Sequence, residues 1–180
     1  MIANKMLEDM KNSSWIRAMF EEGERLRKIH GADKVFDFSL GNPDYEPPTR
    51  VLEELKRLVA SDRSGLHRYT SNAGDPGVRE IIADRMAAES GLPCQAEHII
   101  MTCGAAGGLN VVLKTILNPG DEVIAFSPYF VEYHFYVSNH GGKTVVIPTG
   151  ADFVPDPAAL EAAITPRTRA IILNSPNNPT

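Results

Sequence analysis

The stretch HIIMTCGAAGGLNVVLKTILNPGDEVIAFSPYF, residues 98–130, decides the fold class of this 180-residue chain. An apolar run at 98–102 precedes a helical pattern at 105–117. An Asn-Pro-Gly turn ends that pattern, and a second apolar run follows at 122–126. Two strands joined by a helix run parallel to each other, because the helix returns the chain to the edge where the first strand began. The stretch therefore predicts a β-α-β unit.

The same alternation continues to residue 180. Helices are predicted at about 129–140 and 157–164, and strands at 143–147 and 169–173. Strands that alternate with helices form a mostly parallel sheet whose two faces are covered by the helices. The fold class predicted for this part of the chain is therefore α/β.

The first 97 residues are predicted to be mainly helical. Three helices are expected where Ser, Pro or Asp stands before an apolar stripe; they begin at Ser13 or Ser14, at about residue 49, and at Pro76 after an Asp75 cap. The exception is a short strand at 35–38, followed by a turn at 41–44.

Composition excludes several classes of protein. Hydrophobic residues make up 43% and charged residues 23% of the chain, as in globular proteins, and the net charge of -5 disfavours binding to nucleic acid or to an anionic membrane. The two cysteines have no zinc-motif spacing, and no segment has the length of a signal peptide core or a membrane span. We therefore expect a cytoplasmic protein without metal, membrane or nucleic-acid partners.

Small residues follow the first predicted strand, in the segment TCGAAGG at 102–108. Small side chains at a helix N-terminus let backbone N–H groups reach an anion such as a phosphate. Close packing of the helix on the sheet requires small residues too, so both interpretations stand at this point. The segment is neither G-x-G-x-x-G nor a P-loop, so neither NAD nor ATP is indicated.

Two more strand ends carry unusual residues. Tyr129 and Phe130 follow the strand at 122–126 and could stack on a flat ring, although aromatics there are commonly core. NNPT at 177–180 follows the last strand, and its amides could bind a ligand oxygen or form an ordinary turn. A phosphate cradle, an aromatic plate and an amide donor together suit a flat phosphorylated ring.

That set of features resembles the fold-type I pyridoxal-phosphate aminotransferases of class I/II, the aspartate aminotransferase-like family. Five segments carry the resemblance in family order: SLGNPDYEPP at 39–48, HRYTSNAGDPGVREIIADRM at 67–86, TCGAAGGLNVVLKTILNPGDEVI at 102–124, SPYFVEY at 127–133 and NSPNNPT at 174–180. The resemblance implies pyridoxal 5'-phosphate as cofactor and a mostly parallel sheet covered by helices. It implies that 1–48 is an N-terminal arm with part of the small domain, and that 49–180 is the first portion of the cofactor-binding large domain.

The resemblance also implies roles for individual residues. Gly41 would lie beside the substrate carboxylate, and Tyr69 would reach the cofactor phosphate of the partner subunit in a homodimer. The cofactor contacts within the subunit would come from the phosphate turn, the stacking ring and the donor to the phenolic oxygen, which are Gly104, Ala105, Ala106, Phe130 and Asn178. Asn178 would contact the substrate as well. The bonds Ser127-Pro128 and Asn178-Pro179 are expected to be cis.

The family's Schiff-base lysine follows the NSPNNPT motif, and none of the seven lysines here lies in a matching motif. We therefore expect the chain to be the N-terminal part of a longer enzyme and to be inactive alone. The family's sheet order places 143–147, 122–126 and 169–173 side by side in that order. It separates the strand at 98–102 from 169–173 by three strands.

The function implied is transfer of an amino group between an L-amino acid and a 2-oxo acid. A pyridoxal-phosphate-dependent C–S lyase or related lyase shares the same motifs and is one alternative. A non-catalytic regulator that binds the cofactor or an amino acid is another, and a generic nucleotide-binding α/β domain is a third.

Overall fold

The computed structural model describes residues 2–12, 14–38, 41, 43, 45–62, 64, 65 and 67–180, without the side chains of 11–17. The chain forms two compact units, Met1–Leu66 and His67–Thr180. The turn predicted at 41–44 includes two positions outside the described residues.

Three helices make up the regular structure described in the first unit: α1 (Asn4–Asn12), α2 (Ser14–His30) and α3 (Thr49–Val59). The helices expected from residue 14 and from residue 49 are confirmed, whereas α1 was not predicted. A single 3-10 turn at Ala32–Lys34 follows α2.

The strand predicted at 35–38 is wrong. The segment is not part of a sheet; instead the Asp37 carboxylate accepts a hydrogen bond from Arg27 Nη2 of α2 at 3.0 Å. Phe36 and Phe38 are 82% and 92% exposed. Alternating apolar residues are not sufficient for a strand, because a strand also needs a partner for its backbone groups.

The second unit begins with α4 (Pro76–Ser90), and its predicted cap is confirmed. The Asp75 carboxylate accepts a hydrogen bond from the Val78 backbone N–H at 3.0 Å, and Pro76 is the first helical residue. Gly91 ends the helix with a φ of +70°, a left-handed conformation that glycine adopts without steric cost. A 3-10 turn follows at Ala96–His98.

The strand predicted at 98–102 is also wrong. Its backbone groups are bonded outside the sheet: Met101 N–H donates to the Ala73 carbonyl at 2.9 Å. The Arg79 guanidinium of α4 donates to the carbonyls of Ile99 at 2.8 Å and Ala96 at 2.6 Å. Within the described residues, no strand pairs with this segment.

The described residues form a three-stranded parallel sheet of β1 (Glu122–Ser127), β2 (Lys143–Pro148) and β3 (Thr168–Ile172). The strand order is β2-β1-β3, which confirms the order expected for these three strands. Three helices alternate with the strands: α5 (Gly104–Ile116), α6 (Glu132–Asn139) and α7 (Pro157–Ala163). A mostly parallel sheet with helices is therefore confirmed.

The central strand β1 carries the core on both of its faces. Val123 packs with Leu113 of α5 and Val137 of α6. Ile124 packs with Phe126, Ile147 and residues of α7. Successive side chains of a strand point to opposite faces, so the adjacent Val123 and Ile124 lie in different helix–sheet layers.

Two buried acidic residues hold the amino-terminal edge of the sheet. The Glu122 carboxylate accepts hydrogen bonds from Thr165 Oγ1 at 2.6 Å and from Arg167 Nη2 at 2.7 Å. The Asp121 carboxylate accepts them from the Asn118 backbone N–H at 2.9 Å and from Arg169 Nε at 3.1 Å. These donors hold the pKa of each carboxyl below its ordinary value, led by Thr165 for Glu122 and by Asn118 for Asp121.

Acidification should therefore destabilise the second unit through these carboxylates. Their folded pKa values lie below the unfolded ones, so their contribution is present above about pH 4 and is lost as the pH falls further. Glu122→Gln should reduce the loss of unfolding free energy between about pH 7 and about pH 3. Urea titrations at both pH values measure it. Equal pH dependence in Glu122→Gln and the parent chain would contradict the assignment.

Candidate functional site

The first turn of α5 presents free backbone donors. Gly104 begins the helix with a φ of +68°, and no heavy atom lies within 4 Å of the position that a Cβ would take. The Thr102 hydroxyl donates to the Gly104 carbonyl at 3.0 Å and fixes the turn. Ala105 and Ala106 are exposed, and helix geometry leaves their N–H groups without acceptors in the helix. The turn can therefore bind an anion.

The two interpretations of the small residues apply to different positions. A Cβ on Gly107 would lie 3.6 Å from the Cβ of Thr102, and one on Gly108 would lie 3.3 Å from its Oγ1. Gly107 and Gly108 therefore allow close packing, whereas the three residues before them are open to solvent. The segment thus combines an exposed first turn with two positions in close contact with Thr102.

An aromatic cluster follows β1. The Phe130 ring meets the Tyr133 ring edge-on, with centroids 5.7 Å apart and an interplanar angle of 83°. The rings of Tyr129 and Tyr133 are stacked at 6.2 Å. Phe130 stays 37% exposed, so its ring is held by Tyr133 and still offers surface to a ligand.

The terminal turn is tied to this cluster by Asn177. Its Nδ2 donates to the Pro128 carbonyl at 3.0 Å and to Thr180 Oγ1 at 2.7 Å. The neighbouring Asn178 is exposed, and its amide makes no hydrogen bond within the described part of the chain. The sequence analysis did not assign this structural role to Asn177. The only sequence feature that marks the residue is the pair of adjacent asparagines.

Parallel pairing brings these segments to one edge of the sheet. Ala125 of β1 is paired with Ile172 of β3, so the segments that follow the two strands emerge side by side. Ser127-Pro128 and Asn178-Pro179 are both cis, as expected, and Ser175-Pro176 is cis as well. The carboxyl edge of a parallel sheet is where ligands bind in open α/β folds.

Two further candidate residues are Tyr69 and Gly41. Tyr69 is fully exposed at the start of the second unit. Gly41 belongs to the first unit, and no heavy atom lies within 4 Å of its Cβ position. The structure does not test the contacts expected of either residue.

A small cavity lies at the carboxyl edge of the sheet. It measures about 80 Å³ and is lined by, among others, Tyr129, Tyr133, Phe153 and Asn177. Cofactor pockets are commonly about 300–1,000 Å³, so this cavity alone is too small for a cofactor. Phe130 and Asn178 do not line it, and a ligand at these residues would bind on an open surface.

Among the described residues, no three His, Cys, Asp or Glu side chains are grouped as a metal site would require. None of the described helices has the length and apolar character needed to cross a bilayer.

Comparison with known proteins agrees with this fold. The model of the family "Aminotransferase class I and II" matches residues 33–180. The aspartate/prephenate aminotransferase of Thermus thermophilus is 38% identical over 179 residues, which are 98% of this chain and 45% of that protein. The arginine–pyruvate transaminase of Pseudomonas aeruginosa is 33% identical over 86% of this chain and 39% of its own length. The crystal structure of an aminotransferase from Eubacterium rectale superposes with a TM-score of 0.91 at 37% identity, covering all of this chain and 46% of that one.

This chain belongs to the aminotransferase class I and II family. It spans a little under half the length of the relatives that it matches.

Proposed function

We propose that the protein containing this chain is a pyridoxal-phosphate-dependent aminotransferase that moves an amino group between an L-amino acid and a 2-oxo acid. The observation that carries the proposal is the hydrogen bond from Asn177 to the Pro128 carbonyl, at 3.0 Å, in a chain of this family. It joins the segment containing Phe130 to the segment containing Asn178 at the carboxyl edge of the sheet.

The groups at this edge fit the parts of the cofactor. Backbone N–H groups at Ala105 and Ala106, with the open Gly104, suit a phosphate dianion. The exposed part of the Phe130 ring suits a flat pyridine ring, and the Asn178 amide suits a phenolic oxygen. When bound, the cofactor supplies an electron sink for bonds at the amino acid's α-carbon. This chain's own residues bind and orient it.

The proposal extends to the whole protein. We propose a cytoplasmic homodimer in which Tyr69 contacts the cofactor phosphate of the partner subunit, and in which Gly41 lies beside the substrate carboxylate. The exposed ring of Tyr69 is compatible with a contact across an interface. The proposed division places the arm and part of the small domain at 1–48 and the first portion of the large domain at 49–180.

Phe130→Ala and Asn178→Ala should each weaken cofactor binding by about threefold to tenfold, because an aromatic contact or a hydrogen bond is lost. The measurement is a fluorescence titration of the natural-length apoprotein with pyridoxal phosphate. Phe20→Ala serves as the control: it removes a ring of similar exposure, 47%, from α2, outside the three motifs. Cofactor affinity equal to the parent's in both site variants would refute the assigned site.

A further inference from the structure

A chain of hydrogen bonds joins α6 to the first turn of α5. Asn110 Nδ2 donates to the Ala106 carbonyl at 2.9 Å, and Asn110 Oδ1 lies 3.1 Å from Nε2 of His140. Asn110 and His140 are both half-buried, and thirty residues separate them in the sequence. No sequence motif singled out either residue.

The chemistry of the groups fixes the direction of each hydrogen bond. The Ala106 carbonyl can only accept, so the nitrogen of the Asn110 amide must face it. The amide oxygen then faces His140, and Nε2 of the imidazole must carry the hydrogen. The path therefore runs from His140 N–H to Asn110 and from Asn110 N–H to the backbone of the phosphate turn.

The last group on the path is a peptide unit of the anion-binding turn. The Ala106 carbonyl and the Gly107 N–H belong to one planar trans peptide, so fixing one fixes the direction of the other. Because α5 begins at Gly104, the Gly107 N–H points back to the Cys103 carbonyl and closes the first turn of the helix. Hydrogen bonds in series polarise one another, so the Asn110 contact strengthens this closing bond and steadies the turn that presents the free N–H groups of Ala105 and Ala106.

His140 also connects the phosphate turn to the aromatic segment. It is the C-terminal cap of α6, the helix that begins at Glu132, two residues after Phe130. Leu113 of α5 and Val137 of α6 share one core cluster. The Asn110–His140 contact thus fixes the first turn of α5 against the helix that follows the stacking ring.

We propose that Asn110 is a positioning residue for cofactor phosphate, acting through the Ala106–Gly107 peptide and held in place by His140. This inference rests on the proposed function. Asn110 itself does not touch the ligand; it holds the first turn of α5, whose free N–H groups at Ala105 and Ala106 do. Its contribution should consequently depend on the presence of a phosphate.

The test compares two ligands in the natural-length apoprotein, pyridoxal phosphate and pyridoxal, by fluorescence titration. Asn110→Ala should weaken the binding of pyridoxal phosphate by about fivefold to tenfold, which is the effect of one lost hydrogen bond at a charged-ligand site. The affinity for pyridoxal should not change. Asn110→Thr should retain affinity close to the parent's, because Thr115 shows that a threonine hydroxyl in this helix donates to the carbonyl four residues earlier, Val111, at 2.8 Å.

Thr115→Val provides the matched control, since it removes the same kind of hydrogen bond on the same helix, farther from the phosphate turn. It should change neither affinity. His140→Ala leaves α5 intact and tests the other end of the path should Asn110→Ala fail to fold. Its expected result is a smaller loss, about twofold to threefold, again only for the phosphorylated ligand.

Equal losses for both ligands in the Asn110 and His140 variants would overturn the inference, because they indicate a general packing role. Unchanged affinities would overturn it as well. A parent protein that binds pyridoxal phosphate no more tightly than pyridoxal would instead overturn the proposed function, and the inference with it. The parent and variant titrations therefore separate the two failures.

Discussion

A polypeptide of these 180 residues, mixed with pyridoxal phosphate, an amino acid and 2-oxoglutarate, should show no transaminase turnover above that of the free cofactor. Transamination in this family requires a nucleophilic lysine that holds the cofactor and transfers the proton. None of the seven lysines lies in a motif that matches the family's Schiff-base lysine. Two belong to the second unit, and both lie away from the carboxyl edge.

The positions of these two lysines follow from their secondary structure. Lys114 is in the last turn of α5, ten residues after Gly104, or about 15 Å along the helix. Lys143 is the first residue of β2 and pairs with Glu122, whereas Pro148 at the other end of β2 pairs with Ser127. Lys143 therefore lies at the amino edge of the sheet, opposite the candidate site. The other five lysines belong to the first unit.

The turnover rate is measured with a coupled enzyme assay that detects the amino acid formed from 2-oxoglutarate. The natural-length protein, assayed at the same concentration, is the positive control and should turn over at a rate typical of enzymes, about 1 per second or faster. Comparable turnover by the 180-residue polypeptide would refute the prediction and would require one of its own lysines to serve.

The elements that sequence predicted well are those set by local signals. Asp75 followed by Pro76 predicted the start of α4, and an Asn-Pro-Gly turn predicted the end of α5; both hold in the structure. The apolar runs of β1, β2 and β3 stand between helical patterns. The order of the three strands came from the family resemblance, because strand order depends on contacts between residues distant in sequence.

The two strands that were wrongly predicted show the limit of local patterns. Residues 98–102 and 35–38 are apolar enough for strands, but a strand exists only where a neighbour pairs with its backbone. The Met101 backbone N–H donates to the Ala73 carbonyl, and the Asp37 side chain accepts a hydrogen bond from Arg27. These partners lie outside the predicted strands, and the apolar pattern carries no information about them.

For the candidate site, sequence located the segments better than the connections between them. The motifs at 102–108, 127–133 and 174–180 were identified from sequence. The hydrogen bond from Asn177 to Pro128 spans 49 positions, and that between Asn110 and His140 spans 30. Both depend on how α5, α6 and the strand ends pack, which a single sequence does not specify.

Ile124→Ala should destabilise the second unit by about 2–5 kcal/mol, the cost of truncating a fully buried isoleucine and leaving a cavity. Ile124 has no exposed surface, because the strands on either side and the helix α7 cover it. Its neighbours in the core are Phe126 and Ile147, and its backbone is paired with β2 and β3, so the site has little freedom to collapse. Domains are stable by only about 5–15 kcal/mol, so this loss is a large part of the total.

Urea unfolding of the 180-residue polypeptide, followed by circular dichroism, measures the effect. Ile81→Ala is the matched control: Ile81 lies on α4 with 70% of its surface exposed, so the same truncation should cost less than about 0.5 kcal/mol. Ile124→Val should fall between them, at about 0.5–1.5 kcal/mol. If Ile124→Ala cost no more than Ile81→Ala, β1 could not be the central core strand. The sheet order that brings the cofactor-binding segments together would then be wrong, because it depends on β1 lying between β2 and β3.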